Sequence, residues 1–453
     1  LSASPLPYSL HPVPLDELPP KGNLLQSAYW GRLKSEFGQS PLGFVLRDGN
    51  VDYPLLVLIR PLAGGFSLAY IPHGPDLPEF SHSSDGNSGD SADSGDSADS
   101  TRGEPETGRA YAGLKTAAPK AAPDPTADST RAARLLEALA AELRPHLPRR
   151  CVFLRFDPPG AELLEYEGTG PGSSGTSEPR GGGVSAGTDQ IRSPGLLRKA
   201  VEDIQPPSTV IVDISADPDT LLSRMKSKTR YNVRLASKKG VTVEISPPGE
   251  DGVPADFDRW YDLYLETAER DRIAVHSRTY YRRQFRVAAE LGEAGGDGLP
   301  DVRAPGELSG AARKDGAHPA AQGGAPRLAL LLAYHGGELL AGNILAAFGK
   351  RGTYLYGASS NRKRNLMPTY ALQWAGMEWA RGRGCTEYDL FGIPPAEDPD
   401  HPMHGLYRFK TGFGGKIIHR PGCWDYPLRR GLYGVFRGAE AARKYYFKRL
   451  RKR

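Results

Sequence analysis

The 453-residue sequence predicts an α/β chain, of the α+β kind, made of two similar units. Three observations predict it. Short apolar runs alternate with amphipathic stretches, the succession of strands, helix and strand occurs twice, and three biased tracts fall between elements and never inside one. Those tracts are 81–130, 167–195 and 292–326. The first carries the repeat SGDSADSGDSADS. Such sequence buries too little apolar area to offset the entropy of ordering it, so all three are expected to be disordered insertions.

In the first half, Pro54–Arg60 and Phe66–Ile71 read as strands joined by a Gly-rich turn. Ala132–Leu143 is a helix by its Ala, Leu and Glu content, stopped by Pro145 and Pro148. Cys151–Phe156 is a strand ended by Asp157-Pro158-Pro159. In the second half, Thr209–Ile214 is a strand, and Thr220–Lys238 reads as one helix, followed by helices Phe257–Arg270 and Tyr280–Leu291. Leu328–Tyr334 and Leu339–Phe348 form a hairpin about His335-Gly336-Gly337. Strand Thr353–Tyr356, helix Tyr370–Arg383 and strand Glu387–Phe391 complete the set. The two halves share no detectable internal identity.

Composition narrows the function. The chain has 58 Lys and Arg against 53 Asp and Glu, a net charge of +5. The tract 81–130 holds nine acids and four bases, so the remainder is more basic than the total suggests and points to a polyanionic partner. No apolar run approaches the ~20 residues of a membrane span. The first ten residues lack a basic segment followed by an apolar core, and the sequence starts without Met. Cys151, Cys385 and Cys423 are scattered, odd in number and without metal-ligand spacing, which argues against a disulfide framework or a zinc module. The expectation is a reduced, cytoplasmic, two-domain monomer without metal.

Chemistry concentrates in a few segments. Residues 224–239, RMKSKTRYNVRLASKK, carry seven bases and no acid, and Arg230 and Arg234 lie one helical turn apart, a spacing suited to phosphates. Lys228 and Lys238 extend that basic face, which equally describes a solvated helix without a partner. In 405–416, GLYRFKTGFGGK, an aromatic and a lysine (Phe409, Lys410) precede a Gly-rich turn, so an ammonium can sit beside a closely approached ligand. Tyr354 and Tyr356 are expected on one side of a strand by alternation. Asp157 ends a strand, as a site carboxylate or as a turn former. Residues 437–453 hold eight bases and one acid, which suits RNA, an anionic membrane surface or a frayed tail.

Taken together, SAYWGRLK (27–34), AYIPHGP (69–75), LRFDP (154–158), the segment 213–244 with KTRYNVRLASKKGV, YLYGASS (354–360), the run from Pro368 to CTEYDLFGI and GLYRFKTGFGGK resemble, in order, the FemABX family of aminoacyl-tRNA-dependent peptidoglycan-bridge transferases. The resemblance implies two GNAT-like domains. The first would cover 1–200, with insertions at 81–130 and 167–195, and be completed by 421–453; the second would cover 205–420, with the insertion 292–326. A long helical arm has no room between Arg259 and Leu291, so the chain looks like the compact FemX-like type. Carried over by motif, Lys34 would contact a precursor phosphate, and Arg278, Tyr281 and Tyr356 other parts of the precursor. Phe409 and Lys410 would sit at the aminoacyl-adenosine end, and Asp157 would be a candidate base. Val152 departs from the family pattern, which has a precursor-binding tyrosine there.

The implied reaction is aminoacyl transfer, with aminoacyl-tRNA as co-substrate and no further cofactor. A stem-peptide amine of a peptidoglycan precursor, nucleotide-linked or lipid II, attacks the ester. A protein at the inner face of the plasma membrane would suit the lipid-linked acceptor. Two competing readings are an acyl-CoA N-acyltransferase and a tRNA- or envelope-precursor-binding protein without activity. The first wants an [RQ]xxGx[GA] loop; the nearest match, Arg381–Thr386, fails at its last position.

Overall fold

The computed structural model describes residues 6–80, 125–160, 196–294 and 325–450. The repeat at 81–124 and most of the other two tracts lie outside the described residues. Among the described residues, fourteen strands fall into two seven-stranded sheets. The first contains β1 (Ser9–Val13), β2 (Ser40–Asp48), β3 (Val51–Pro61), β4 (Ser67–Ile71), β5 (Cys151–Phe156), β6 (Arg198–Lys199) and β14 (Trp424–Pro427), in the order β1-β2-β3-β4-β5-β14-β6. The second contains β7 (Ser208–Asp213), β8 (Thr242–Ile245), β9 (Arg327–His335), β10 (Glu338–Phe348), β11 (Arg351–Ser359), β12 (Glu387–Gly392) and β13 (Lys416–His419), in the order β13-β7-β12-β11-β10-β9-β8.

Each sheet is antiparallel except for one pair, β4 with β5 and β11 with β12. Parallel neighbours need a crossover, and a helix supplies it both times: α2 (Pro125–Leu143) and α7 (Pro368–Arg381). This is the GNAT-like α/β plan, present twice. Helix α2 starts at Pro125, inside the span read as disordered, because Ala132, Leu135, Leu136, Leu139, Ala140 and Leu143 recur at helical spacing and all are buried.

Sheet alternation decides which helices cover which face. Leu55, Val57 and Ile59 of β3 face α2, while Leu56 and Leu58 face the other way, onto Trp30 and Leu33 of α1 (Ala28–Ser35). In the second sheet Leu331, Leu345 and Ala347 meet α7, and Leu330, Leu332 and Ile344 meet the aromatic helices α5 (Phe257–Asp271) and α6 (Arg278–Ala294). Val287, Ala288, Ala346 and Phe348 share a core with α1 and β3, so an apolar cluster runs across both sheets. The hairpin turn has Gly336 and Gly337 both at positive φ, the conformation a two-residue loop requires.

Two expectations about secondary structure fail. The stretch 220–238 is two helices, α3 (Pro218–Arg224) and α4 (Ser227–Lys238). Met225 is extended and buried between them, and the Lys226 N–H bonds to the Gly412 carbonyl, outside the helix. The pair Tyr354 and Tyr356 does not share a face. Ile344 pairs with Tyr356 and Leu345 with Tyr354, so Leu355 is a bulge that turns the two rings toward different clusters.

Candidate active site

The second sheet positions Lys410. It lies on α8 (His404–Thr411), a helix that leads straight into Gly412-Phe413-Gly414-Gly415. The glycines permit close approach: a Cβ on Gly412 would collide with the Thr229 hydroxyl, one on Gly415 would stand 2.7 Å from the Ile211 carbonyl oxygen, and Gly414 has φ +81°. With the Lys226–Gly412 hydrogen bond, they dock α8 against the corner between α3 and α4. Two segments far apart in the sequence thus form one unit.

Lys410 points inward. Its residue is 5% exposed, and its Nζ donates to the carbonyls of Gly392 at 2.9 Å and Phe391 at 3.3 Å. Phe391 adopts φ +60°, an uncommon geometry for a bulky residue, at the strand end that presents these carbonyls. The ammonium also sits 5.3 Å from the Tyr354 ring centre. Burial pushes its pKa down to about 7, against the pull of Asp389. An ammonium has three N–H donors, and the two carbonyls engage two of them. Phe409 is half-buried beside it, edge-on to Tyr370 at 5.0 Å and Phe413 at 5.3 Å.

The first sheet positions Asp157 at the end of β5. It is 1% exposed, accepts a hydrogen bond from the Tyr70 hydroxyl at 3.1 Å, and lies 4.0 Å from His73 Nε2. Burial raises its pKa to about 7, with Tyr70 and Arg420 opposing. Burial lowers that of His73, helped by Arg420 and Arg351, and its buried Nε2 has no hydrogen-bond partner among the described residues. Buried Arg420 interacts with carboxylates of both sheets: it lies 3.8 Å from Asp389 of β12, and Asp157 acts on its charge. Asp389 accepts from the Thr209 hydroxyl and the Phe391 N–H. None of Tyr70, His73, Asp389 and Arg420 stands out in the sequence as a site residue, though Tyr70 and His73 lie in AYIPHGP and Asp389 in CTEYDLFGI.

A second cluster lies where α1 meets α6. Lys34 Nζ donates to the Tyr280 hydroxyl at 2.7 Å and lies 4.3 Å from the Trp30 ring centre. Burial, then Arg60, lowers its pKa to about 8. Tyr356 accepts from Gln284 at 3.3 Å and has its hydroxyl pKa raised well above normal by burial, with Tyr280 adding to it. The buried Tyr29 hydroxyl has no hydrogen-bond partner among the described residues, and Tyr356 acts on its pKa. Tyr280, the neighbour of Tyr281, is thus the tyrosine that bonds Lys34. Tyr281 is a core ring, 4.9 Å from Tyr356 and 5.7 Å from Trp260, and its hydroxyl accepts the His276 N–H. The exposed Arg278 guanidinium is held by Asp258 at 2.7 Å and Asp262 at 2.8 Å.

On α4, Lys228, Arg234 and Lys238 are exposed. Arg230 NH1 donates to the Ser223 carbonyl at 3.0 Å, with Leu222 and Met225 at 3.4 and 3.5 Å, closing the end of α3. The match at Arg381–Thr386 starts on the last residue of α7 and ends one residue before β12, with Gly384 at φ +78°, so it does not open a helix.

The architecture is a doubled GNAT-like fold, with a buried aspartate at the end of β5 and a buried lysine packed against the end of β12. Comparison with known proteins makes it specific. The model of the FemAB family matches residues 120–287 and 331–441, more than half of the sequence, and the chain belongs to that family. It is 28% identical over 291 residues to a lipid II:glycine glycyltransferase of Staphylococcus saprophyticus, covering 56% of this chain and 68% of that protein. The lipid II:glycine glycyltransferase of Staphylococcus aureus strain NCTC 8325 is 28% identical over 293 residues, covering 55% and 68%. A crystal structure of FemX superposes with a TM-score of 0.58 at 18% identity, covering 93% of this chain and 96% of that one, which shows a shared fold.

Proposed function

We propose that this protein transfers an amino acid from an aminoacyl-tRNA to the side-chain amine of a peptidoglycan precursor. The observation that carries the reading is Lys410, a nearly buried side-chain nitrogen held by two carbonyls at the end of a strand. In aminoacyl transfer the acceptor amine adds to the ester carbonyl, the C–O bond to the terminal ribose breaks, the amine loses a proton and the ribose oxygen gains one. The ester is already activated, so the protein needs to orient the reactants and stabilise charge. In its protonated form Lys410 has the charge and a third donor for the oxyanion or the leaving ribose oxygen, and Phe409 offers a ring to the adenosine end. Asp157, titrating near neutrality, suits a base for the attacking ammonium; the neighbouring ribose hydroxyl is an alternative acceptor.

The docking of α8 on the α3–α4 corner supports tRNA as donor, because it sets the first turn of α4, with exposed Lys228, beside the Lys410 helix. Lys34, Tyr280 and Tyr356 suit the phosphate end of the acceptor. The test offers charged tRNA, acyl-CoA, and free amino acid with ATP side by side, with nucleotide-linked and lipid-linked acceptors, followed by mass measurement. Product from charged tRNA alone, abolished by ribonuclease, supports the reading. Product from acyl-CoA, or none with any donor, overturns it.

A further inference from the structure

The C-terminal helix α9 (Arg430–Leu450) is not used by the chemistry above, and its two sides differ sharply. Its inner side is fixed to the first sheet. Tyr433 packs on Phe153 at 5.3 Å and donates to Asp425, Phe436 packs on Phe153 at 4.9 Å, and Glu440 closes on buried Arg155 at 2.9 Å. Arg155 also makes a bidentate pair with Asp425 of β14, so strand, strand and helix are clamped through one guanidinium.

The outer side is apolar where a solvated helix would be charged. Of the eleven large hydrophobic side chains exposed among the described residues, five belong to this helix: Val435, Tyr445 and Tyr446 on the outer side, Leu432 at its edge, and Phe447 one heptad beyond Glu440. Val435 is 72% exposed and the three aromatics 58–66%. Gly431, Gly434 and Gly438 have open space where a Cβ would stand, so nothing described rests on that face. The charges beside it have one sign. Arg430 and Arg437 are exposed without an ion pair among the described residues, and Arg443 and Lys444 are tethered at Glu202 and the Val201 carbonyl. Glu440, the helix's one acid, is turned inward.

We propose that α9 docks the protein on an anionic phospholipid surface. An interfacial helix places apolar and aromatic side chains at the headgroup boundary and cations around them. Tyrosine suits that depth because its ring is apolar and its hydroxyl wet. A second copy of the chain would bring Arg430 and Arg437 against their own equivalents. RNA would use the cations and leave Val435 and Tyr446 without a role. Because α9 is clamped to the first sheet, docking fixes the orientation of the whole molecule to the surface.

Flotation of the purified full chain with vesicles tests this without any catalysis, so its outcome is separate from that of the transferase reading. The protein is expected to float with phosphatidylcholine vesicles containing phosphatidylglycerol, not with phosphatidylcholine alone, and to detach as salt rises. Val435→Ser combined with Tyr446→Ser should lower partitioning on the order of tenfold. Arg437→Gln should lower it about fivefold. Both variants should keep the wild-type melting temperature, since these side chains are exposed. Wild-type protein left in the soluble fraction at low salt overturns the proposal. So does flotation unchanged in both variants, or an α9 contact with tRNA that Arg437→Gln weakens and Val435→Ser/Tyr446→Ser does not, if vesicles are not bound. A dimer dissolved by Val435→Ser, without vesicle binding, would overturn it by assigning the face to a second copy.

Discussion

The end of β5 in the first sheet and the end of β12 in the second occupy corresponding places, each the strand that follows the crossover helix. They are charged oppositely. The first ends in Asp157, whose pKa burial raises to about 7; the second presents two carbonyls to Lys410, whose pKa burial lowers to about 7. One environment, exclusion of water, thus brings an acid and a base to the same neutral range from opposite directions. Arg420, with Asp389 at 3.8 Å and Asp157 acting on its charge, connects the two ends. Repeating a fold does not repeat its chemistry; the side chain set at the strand end decides that.

The largest expected effect breaks the symmetry at Lys410. Lys410→Met should lower turnover from charged tRNA by roughly 100- to 1000-fold with the fold intact, the range seen when one preorganised donor is lost. Near-normal transfer would remove Lys410 from the reaction. Next come the opposite pH dependences of stability. The folded chain keeps the Asp157 proton between pH 3.8 and about 7, so this group's contribution is full below that window and lost as pH rises through it. Lys410 behaves the other way: the unfolded chain holds the proton between about 7 and 10.5, so its contribution is present above the window and lost as pH falls through it. Melting curves should show Asp157→Asn gaining on wild type at pH 8 but not at pH 4, and Lys410→Met gaining at pH 6 more than at pH 10. Each tenfold difference in proton affinity between the folded and unfolded chain contributes at most about 1.4 kcal/mol to these gains.

A smaller effect tests how the Lys410 helix is held. Gly414→Ala forces a Cβ at φ +81° to within 2.5 Å of the Arg224 carbonyl oxygen, and should cost about 1–3 kcal/mol in denaturant unfolding while lowering turnover. Wild-type stability would mean the turn is not the constraint. In the acceptor cluster, Lys34→Met should raise the acceptor KM about tenfold with kcat little changed, as expected for loss of a charge-assisted contact made equally in ground and transition states. The smallest effect belongs to Arg278→Ala: its pairs with Asp258 and Asp262 are screened by solvent, so the melting temperature and the acceptor KM should both stay close to wild type.

Much of the strand pattern was legible in sequence, because β3, β9 and β10 are apolar on both faces and read as continuous runs bounded by turns. The short strands β6, β13 and β14 were not, since two to four residues carry no periodicity and owe their place to neighbours far along the chain. The break at Met225 was hidden for a similar reason: helical spacing continues through it, and a carbonyl at Gly412 captures the N–H. The bulge at Leu355 likewise has no local signature, so alternation put both tyrosines on one face. Among site residues, Lys34, Asp157, Phe409 and Lys410 lay in recognisable motifs. The Lys34–Tyr280 hydrogen bond was not legible, since adjacent tyrosines look alike until the helix face is known.

The amino-acid sequence by itself determined the α/β class, the doubled order of elements, the family and the basic character, because those follow from local periodicity, composition and motif order. The tertiary structure alone decided that Lys410 is buried and held by two carbonyls, that Asp157 and Asp389 both act on Arg420, that Arg230 closes a helix, and that α9 turns an apolar face outward. Burial and electrostatic environment depend on what packs around a side chain, and the elements that pack here come from positions hundreds of residues apart.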